Sequence, residues 1–275
     1  MQTNAVRGMT PAEQRIEDEM AEAGISRALS HVDLRRNANQ FFCGCSDGSH
    51  ARQLFDLHAN ACGLTVEEID KGNGLLHPIM LNGGALLLSP TCALSRLECL
   101  PHDIVGISHF AYAMLMKGQH GQVSLYTHTN CSAARLIGLS QYDSYDELMR
   151  AKYRLRRVFD RTMFTGTFGA YKLLCRQVDG QIVRESRHVH KTSWEKWLNQ
   201  PAQNKRHDEW HEYKRQVDEH GLGRDFTLDV FDQLRKRLHE MHPQAVANAP
   251  SPSHERAHHH PHVHAIESKT VYCAT

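Results

Sequence analysis

Three residues with metal-binding side chains follow two segments that have the composition of buried strands. Cys45 ends the run 40–45 (QFFCGC), and a His-x-x-Cys pair, His128 and Cys131, follows the run 122–127. Thiolate and imidazole are ligands that zinc prefers, and three protein ligands with one open position form a catalytic zinc site. The His-x-x-Cys spacing places both side chains around one strand-to-helix turn, so Cys45 can complete the set from a neighbouring strand. The residues therefore predict a zinc site.

The spacing by itself leaves a second interpretation open. A buried cysteine at the end of a strand is commonly a small core residue, and Cys62, Cys92, Cys99 and Cys175 are most simply interpreted in that way. Eight cysteines in 275 residues are too few for a small disulfide scaffold. We therefore expect reduced thiols and a cytoplasmic protein without an export signal.

Charge and hydropathy exclude two classes of partner. Lys and Arg total 32 and Asp and Glu total 31, so no charge excess draws the chain to a phosphate backbone, and no nucleic-acid partner is expected. No segment approaches the roughly 20 apolar residues that a membrane crossing needs, and no membrane association is expected.

The elements that position the candidate ligands alternate between strand and helix. We predict strands over 40–45, 75–81 and 122–128, helices over 51–61 and 108–117 between them, and a helix from about residue 130. Parallel neighbours need crossover connections, so this order predicts an α/β fold with a central, mostly parallel β-sheet flanked by helices. A capped helix from Thr10 to Gly24, a polar helix over 33–39 and a hairpin at Asp179-Gly180 are also predicted.

Four segments in this order resemble the β-class carbonic anhydrases. That family is marked by Cys-x-Asp-Ser-Arg, an Arg-Asn-Ala-Gly-Asn-like segment, a Ser-Leu-Glu-Tyr-Ala helix and His-x-x-Cys. The corresponding segments here are 45–49 (CSDGS), 81–85 (LNGGA), 108–113 (SHFAYA) and 128–131 (HTNC). The resemblance covers about residues 40 to 190 and implies the family's α/β fold.

The resemblance also implies an activity, which is the reversible hydration of carbon dioxide to bicarbonate. Zinc lowers the pKa of its bound water to about 7 and so supplies hydroxide at neutral pH. By this resemblance Cys45, His128 and Cys131 hold the Zn2+, Asp47 orients the hydroxide, and the protein forms a homodimer or a higher homo-oligomer.

One position departs from the family pattern. Ser49 stands where the family has the arginine that pairs with the aspartate and keeps it off the metal. Asp47 is therefore expected to be drawn to zinc, which predicts low or pH-gated activity; His50 and Arg52 are candidates to replace the arginine. Two alternative functions stay open: a non-catalytic zinc protein with a structural or sensing role, and a hydrolase of carbonyl sulfide or carbon disulfide.

The predicted organisation has four parts. Residues 1–39 form a helical arm, 40–192 the carbonic-anhydrase-like zinc domain, 193–242 C-terminal helices packed on the body, and 243–275 a disordered tail. Six histidines are clustered in that tail, namely His254, His258, His259, His260, His262 and His264. These tail histidines suit either metal scavenging or a solvated low-complexity segment, and both interpretations stay open.

Overall fold

The structure is a computed structural model that describes residues 8–30, 33–34, 38–65, 67–68, 75–97, 102–117, 120–159 and 164–220, with five further positions between 232 and 240. Its strands are β1 (Ser26–Ala28), β2 (Asn39–Cys45), β3 (Leu76–Leu81), β4 (Gly121–His128), β5 (Thr167–Val178) and β6 (Gln181–Val189). Its helices are α1 (Pro11–Glu22), α2 (Gly48–Cys62), α3 (Leu94–Leu97), α4 (His102–Lys117), α5 (Ser132–Leu136), α6 (Gln141–Val158), α7 (Lys191–Leu198) and α8 (Asn204–His220). None of these helices is long and apolar enough to cross a membrane.

The six strands form one sheet in the order β3-β2-β4-β5-β6-β1. The first four are parallel to one another, whereas β6 runs antiparallel to both β5 and β1. The predicted α/β class with a mostly parallel sheet is therefore confirmed.

The chain reverses its direction of travel across the sheet between β2 and β4. From β2 it moves outward to β3, and it then returns to place β4 on the other side of β2, with Cys43 opposite Leu125. Open α/β sheets bind ligands outside the carboxyl ends of strands at such a switch point. Cys45 and His128 end these two adjacent strands.

Helices cover both faces of the sheet because the central strands are apolar on both sides. On one face Phe41, Cys43 and Leu125 belong to the main core, which includes residues of α1, α4, α6, α7 and α8. On the other face Phe42 and Tyr126 pack with Leu54 of α2. Strands buried on both faces read as continuous apolar runs, which explains why β2 and β4 are recognisable in the sequence.

Most predicted elements are confirmed, with boundaries that differ by a few residues. Helix α1 has the predicted capping box between Thr10 and Glu13, and the hairpin turns at Asp179-Gly180. Pro201 begins a short 3-10 helix, Pro201–Gln203, that separates α7 from α8.

The prediction of a polar helix over 33–39 is wrong at the residues of this segment that the structure describes. Asp33 and Leu34 lie in a bend and Asn39 belongs to β2. The Asp33 carboxylate accepts hydrogen bonds from the backbone N–H and the hydroxyl of Ser30. This local turn competes with helix formation, as is typical of aspartate.

The C-terminal helices α7 and α8 pack on the body through their tryptophans. Trp194, Trp197 and Trp210 are buried in the main core, and the rings of Trp194 and Trp210 meet edge to face at 4.7 Å. The predicted helix over 228–239 is described only at residues 232, 233, 236 and 237, and the tail from 243 lies outside the described residues.

Candidate metal centre

The predicted ligands Cys45, His128 and Cys131 come together at the carboxyl edge of the sheet. All three are buried, and one ligand atom from each lies within 4.8 Å of the others. Cys45 and His128 are 83 positions apart in the sequence but lie close together because β2 and β4 are direct neighbours. The cluster can hold a metal ion.

The His128 ring is oriented so that one nitrogen is left for a ligand. Its Nδ1 lies 2.8 Å from the carbonyl oxygen of Thr129, to which it can donate, while its buried Nε2 has no hydrogen-bond partner among the described residues. Metal-binding histidines commonly use one nitrogen in this way, which fixes the tautomer and the ring orientation. A cation at Nε2 would remove the cost of leaving that atom buried and unpaired.

The two thiols of the cluster share a hydrogen bond. The thiol of Cys131 donates to the Cys45 sulfur, which lowers the pKa of Cys45 and raises that of Cys131. The proton that the two sulfurs share is one that a metal ion would displace on binding. Two sulfurs and one imidazole nitrogen fit Zn2+.

The turn that carries His128 and Cys131 is held by β5. Backbone N–H of Thr129 donates to Leu173 at 3.0 Å, and the Thr129 hydroxyl accepts from the backbone N–H of Cys175 at 2.9 Å. Asn130 then adopts a left-handed conformation with φ 60°. This single turn directs both ligands to the same side before α5 begins.

A second tight turn packs against Cys45. Gly84 has φ +61°, and a Cβ there would lie 2.6 Å from the carbonyl oxygen of Tyr126 and 3.0 Å from the nitrogen of Cys45. Only glycine fits so close an approach of two backbones. The turn at Gly83 and Gly84 therefore places the connection after β3 directly beside the cluster.

An apolar layer surrounds the two sulfurs. Cys45 and Cys131 belong to a buried cluster that also contains Leu86, Leu87, Cys92, Leu94 and Ala134. Such a layer limits water access and lowers the local dielectric constant, which strengthens charge interactions at the site.

Asp47 and Ser49 lie next to the cluster but are not shown to belong to it. Asp47 is exposed and is not one of the residues whose ligand atoms converge within 4.8 Å. Ser49 lies in the first turn of α2, and its side chain is outside the described part of the chain. The structure therefore does not place the Asp47 carboxylate among the converging ligands.

The two candidates to replace the missing arginine have other partners. Arg52 forms an exposed ion pair with Asp56 at 2.9 Å. His50 is buried with its ring centroid 4.2 Å from that of His128, and burial lowers the pKa of His50 to about 4. His50 is therefore neutral at pH 7 and cannot supply the positive charge.

A different arginine lies near this group, and the sequence analysis missed it. Arg184 pairs with Cys175 across the β5–β6 hairpin, and Cys175 Sγ lies 3.9 Å from His50 Nε2. Both Asp47 and Arg184 lie close enough to His50 to change its pKa: the charge of Asp47 raises it, whereas the charge of Arg184 lowers it. The two-residue turn at 179–180 fixes the register that pairs residue 175 with residue 184, so the sequence contained this signal.

No family model matches this chain, and no curated protein or solved structure is significantly similar to it. The class of protein is therefore defined by the fold and the site alone. It is an α/β protein whose mostly parallel sheet carries, at its carboxyl edge, a buried cluster of two cysteines and one histidine that can hold a metal ion.

Proposed function

We propose that this protein is a zinc-dependent enzyme that reversibly hydrates carbon dioxide to bicarbonate. The observation that carries the proposal is the buried cluster of Cys45, His128 and Cys131, in which one ligand atom of each residue lies within 4.8 Å of the others. This donor set is one that catalytic zinc uses with a fourth position left open. The four segments that resemble the β-class carbonic anhydrases support carbon dioxide as the substrate of this proposed zinc site.

The chain's own residues have distinct roles in this proposal. Zinc, when bound, would supply an acidic water at neutral pH. Cys45 and Cys131 balance the charge of the cation, and Thr129 holds the ring of His128 in place. Asp47, at the exposed rim, accepts a hydrogen bond from the nucleophile and orients it.

The apolar layer around the sulfurs has a matching role for the substrate. Carbon dioxide is small and carries no net charge, so leucine side chains such as Leu86 and Leu87 can lie against it without an unpaired polar group. Bicarbonate is charged and leaves toward the exposed rim. We also propose a homodimer or higher homo-oligomer, as the family resemblance implies.

Stopped-flow measurement of carbon dioxide hydration tests the proposed activity. Zinc-loaded protein is expected to accelerate hydration in proportion to its zinc content, and Cys131→Ser is expected to abolish the acceleration because it removes a ligand. Cys92→Ser is the matched control, since Cys92 is a buried thiol of the same apolar cluster outside the ligand group. Equal rates for wild-type protein and Cys131→Ser would refute the proposal.

The non-catalytic zinc protein is the second candidate, and Ser49 is the observation that favours it. A site that binds zinc fully but hydrates no carbon dioxide, before or after restoration of the arginine, would support this candidate. Zinc-dependent release of hydrogen sulfide from carbonyl sulfide would instead identify carbonyl sulfide, a sulfur analogue of carbon dioxide, as the substrate.

Restoring the arginine is expected to raise activity. Ser49→Arg should increase hydration turnover about tenfold, because one charge-assisted bidentate hydrogen bond to Asp47 contributes about 1.4 kcal/mol or more. Ser49→Lys is the control, since lysine adds the charge without the planar fork and should give a smaller increase. If native activity is high and Ser49→Arg leaves it unchanged or lowers it, another group already restrains Asp47, with Arg184 the foremost candidate.

A further inference from the structure

A second group of metal-binding side chains lies apart from the cysteine–histidine centre. Asp33, His188 and His190 are half-buried, and one ligand atom from each lies within 4.8 Å of the others. His188 belongs to β6, which β5 separates from the ligand-bearing strands β2 and β4. The two groups therefore share no ligand, and β5 lies between their strands.

Asp33 is held in place by hydrogen bonds on both its side chain and its backbone. Its Oδ2 accepts from the Ser30 N–H and hydroxyl, each at 2.8 Å. Its carbonyl oxygen accepts from Gln122 Nε2 at 2.9 Å and from the Tyr171 hydroxyl at 2.8 Å. These bonds leave Oδ1 directed at His188, whose Nδ1 lies 2.8 Å away.

The two histidines are positioned by the end of β6. The ring of His188 stacks on Tyr171 at 5.1 Å, and the rings of His188 and His190 lie 4.3 Å apart. The backbone N–H of His190 donates to Ile25, while its side chain does not cap α7. Burial lowers the pKa of both imidazoles, which favours the neutral form that binds metal.

We propose that Asp33, His188 and His190 form a second metal site, which binds a divalent transition ion of the Zn2+ type. Two imidazoles and one carboxylate suit this class of ion, whereas Mg2+ and Ca2+ prefer a full set of oxygen ligands. The ion would connect the bend between β1 and β2 to the start of α7. The proposal does not rest on the proposed hydration activity.

The nearby charges predict that this site is weaker than the cysteine–histidine centre. Lys152 and Arg27 both lie close enough to lower the pKa of His190, and these cations would repel a metal ion. Burial lowers the pKa of Lys152 to about 8, which reduces the repulsion at mildly alkaline pH. Asp33 is the one anionic ligand, and the other centre has two sulfurs that lose their protons to the metal.

Equilibrium dialysis of the full-length, zinc-loaded protein against free Zn2+ tests the proposal. The six tail histidines and His211 are first replaced by glutamine, because the tail and the adjacent rings of His207 and His211, 4.3 Å apart, offer competing imidazoles. About one further zinc per chain is then expected to bind. Asp33→Asn and His190→Asn should each weaken this second binding about 10- to 100-fold.

The control is His109→Asn, which removes an exposed histidine of α4 and should leave the second zinc unchanged. Asp33→Asn preserves side-chain size and His190→Asn replaces the ring by a smaller uncharged amide, so circular dichroism is used to check that each variant folds. His188 is left intact because its ring packs on Tyr171. The proposal is overturned if no second zinc binds, or if either Asp33→Asn or His190→Asn leaves its affinity unchanged.

Discussion

Replacing one ligand of the metal centre is expected to remove nearly all tightly bound zinc. Purified wild-type protein should carry about one zinc per chain, and Cys45→Ser or His128→Ala should carry less than about one tenth of that amount. Cys45 and Cys131 are the only sulfur ligands of the group of described residues that converges there. Loss of one leaves a two-ligand site, which holds zinc poorly.

The matched control for this prediction is Cys43→Ser. Cys43 lies two residues before Cys45 on the same strand, is fully buried in the main core, and is not a member of the ligand group. This variant should keep its zinc, as measured by mass spectrometry of metals after gel filtration. Undiminished zinc in Cys45→Ser or in His128→Ala would remove the proposed site.

Breaking the ion pair between Lys172 and Glu17 is expected to destabilise the fold strongly. Both side chains are fully buried, and Lys172 Nζ lies 2.7 Å from Glu17 Oε1. The Tyr145 hydroxyl donates to the other Glu17 oxygen at 2.6 Å, and Lys172 also donates to the Ser144 hydroxyl at 3.0 Å. Lys172→Met leaves a buried carboxylate without its cation, which should lower the free energy of unfolding by about 3 to 5 kcal/mol.

Urea unfolding of three variants separates this effect from a simple loss of charge. Arg52→Met breaks the exposed pair with Asp56 and should change the free energy of unfolding by less than about 1 kcal/mol. The double variant Glu17→Gln, Lys172→Met should recover part of the loss, because no uncompensated charge remains. A loss in Lys172→Met no larger than that in Arg52→Met would contradict the prediction.

The metal centre was predictable because its ligands stand at the ends of apolar strands. Continuous apolar runs mark β2 and β4 in the sequence, and a His-x-x-Cys pair needs only one turn to converge. The adjacency of Cys45 also depends on β2 and β4 being neighbours, which the α/β strand–helix order made plausible.

The residues that the sequence analysis missed depend on contacts between distant parts of the chain. Asp33 was interpreted as part of a polar helix, but its bend is held by Gln122 and Tyr171, which are 89 and 138 positions away. Lys172 lies within an apolar strand, and its partner Glu17 lies in α1. Neither pairing has a local signal in the sequence, since periodicity reports which face of an element is buried but not what lies opposite.

X-ray absorption spectroscopy of the zinc-loaded protein, with and without bromide, tests most directly whether the centre is open for catalysis. We expect two sulfur ligands, one imidazole nitrogen and one light atom around zinc, and a zinc–bromine distance should appear when bromide displaces that light atom. One sulfur ligand should be lost in any zinc retained by Cys131→Ser. Four protein ligands, including the Asp47 carboxylate, and no zinc–bromine distance even at high bromide would contradict the account and identify a closed structural site.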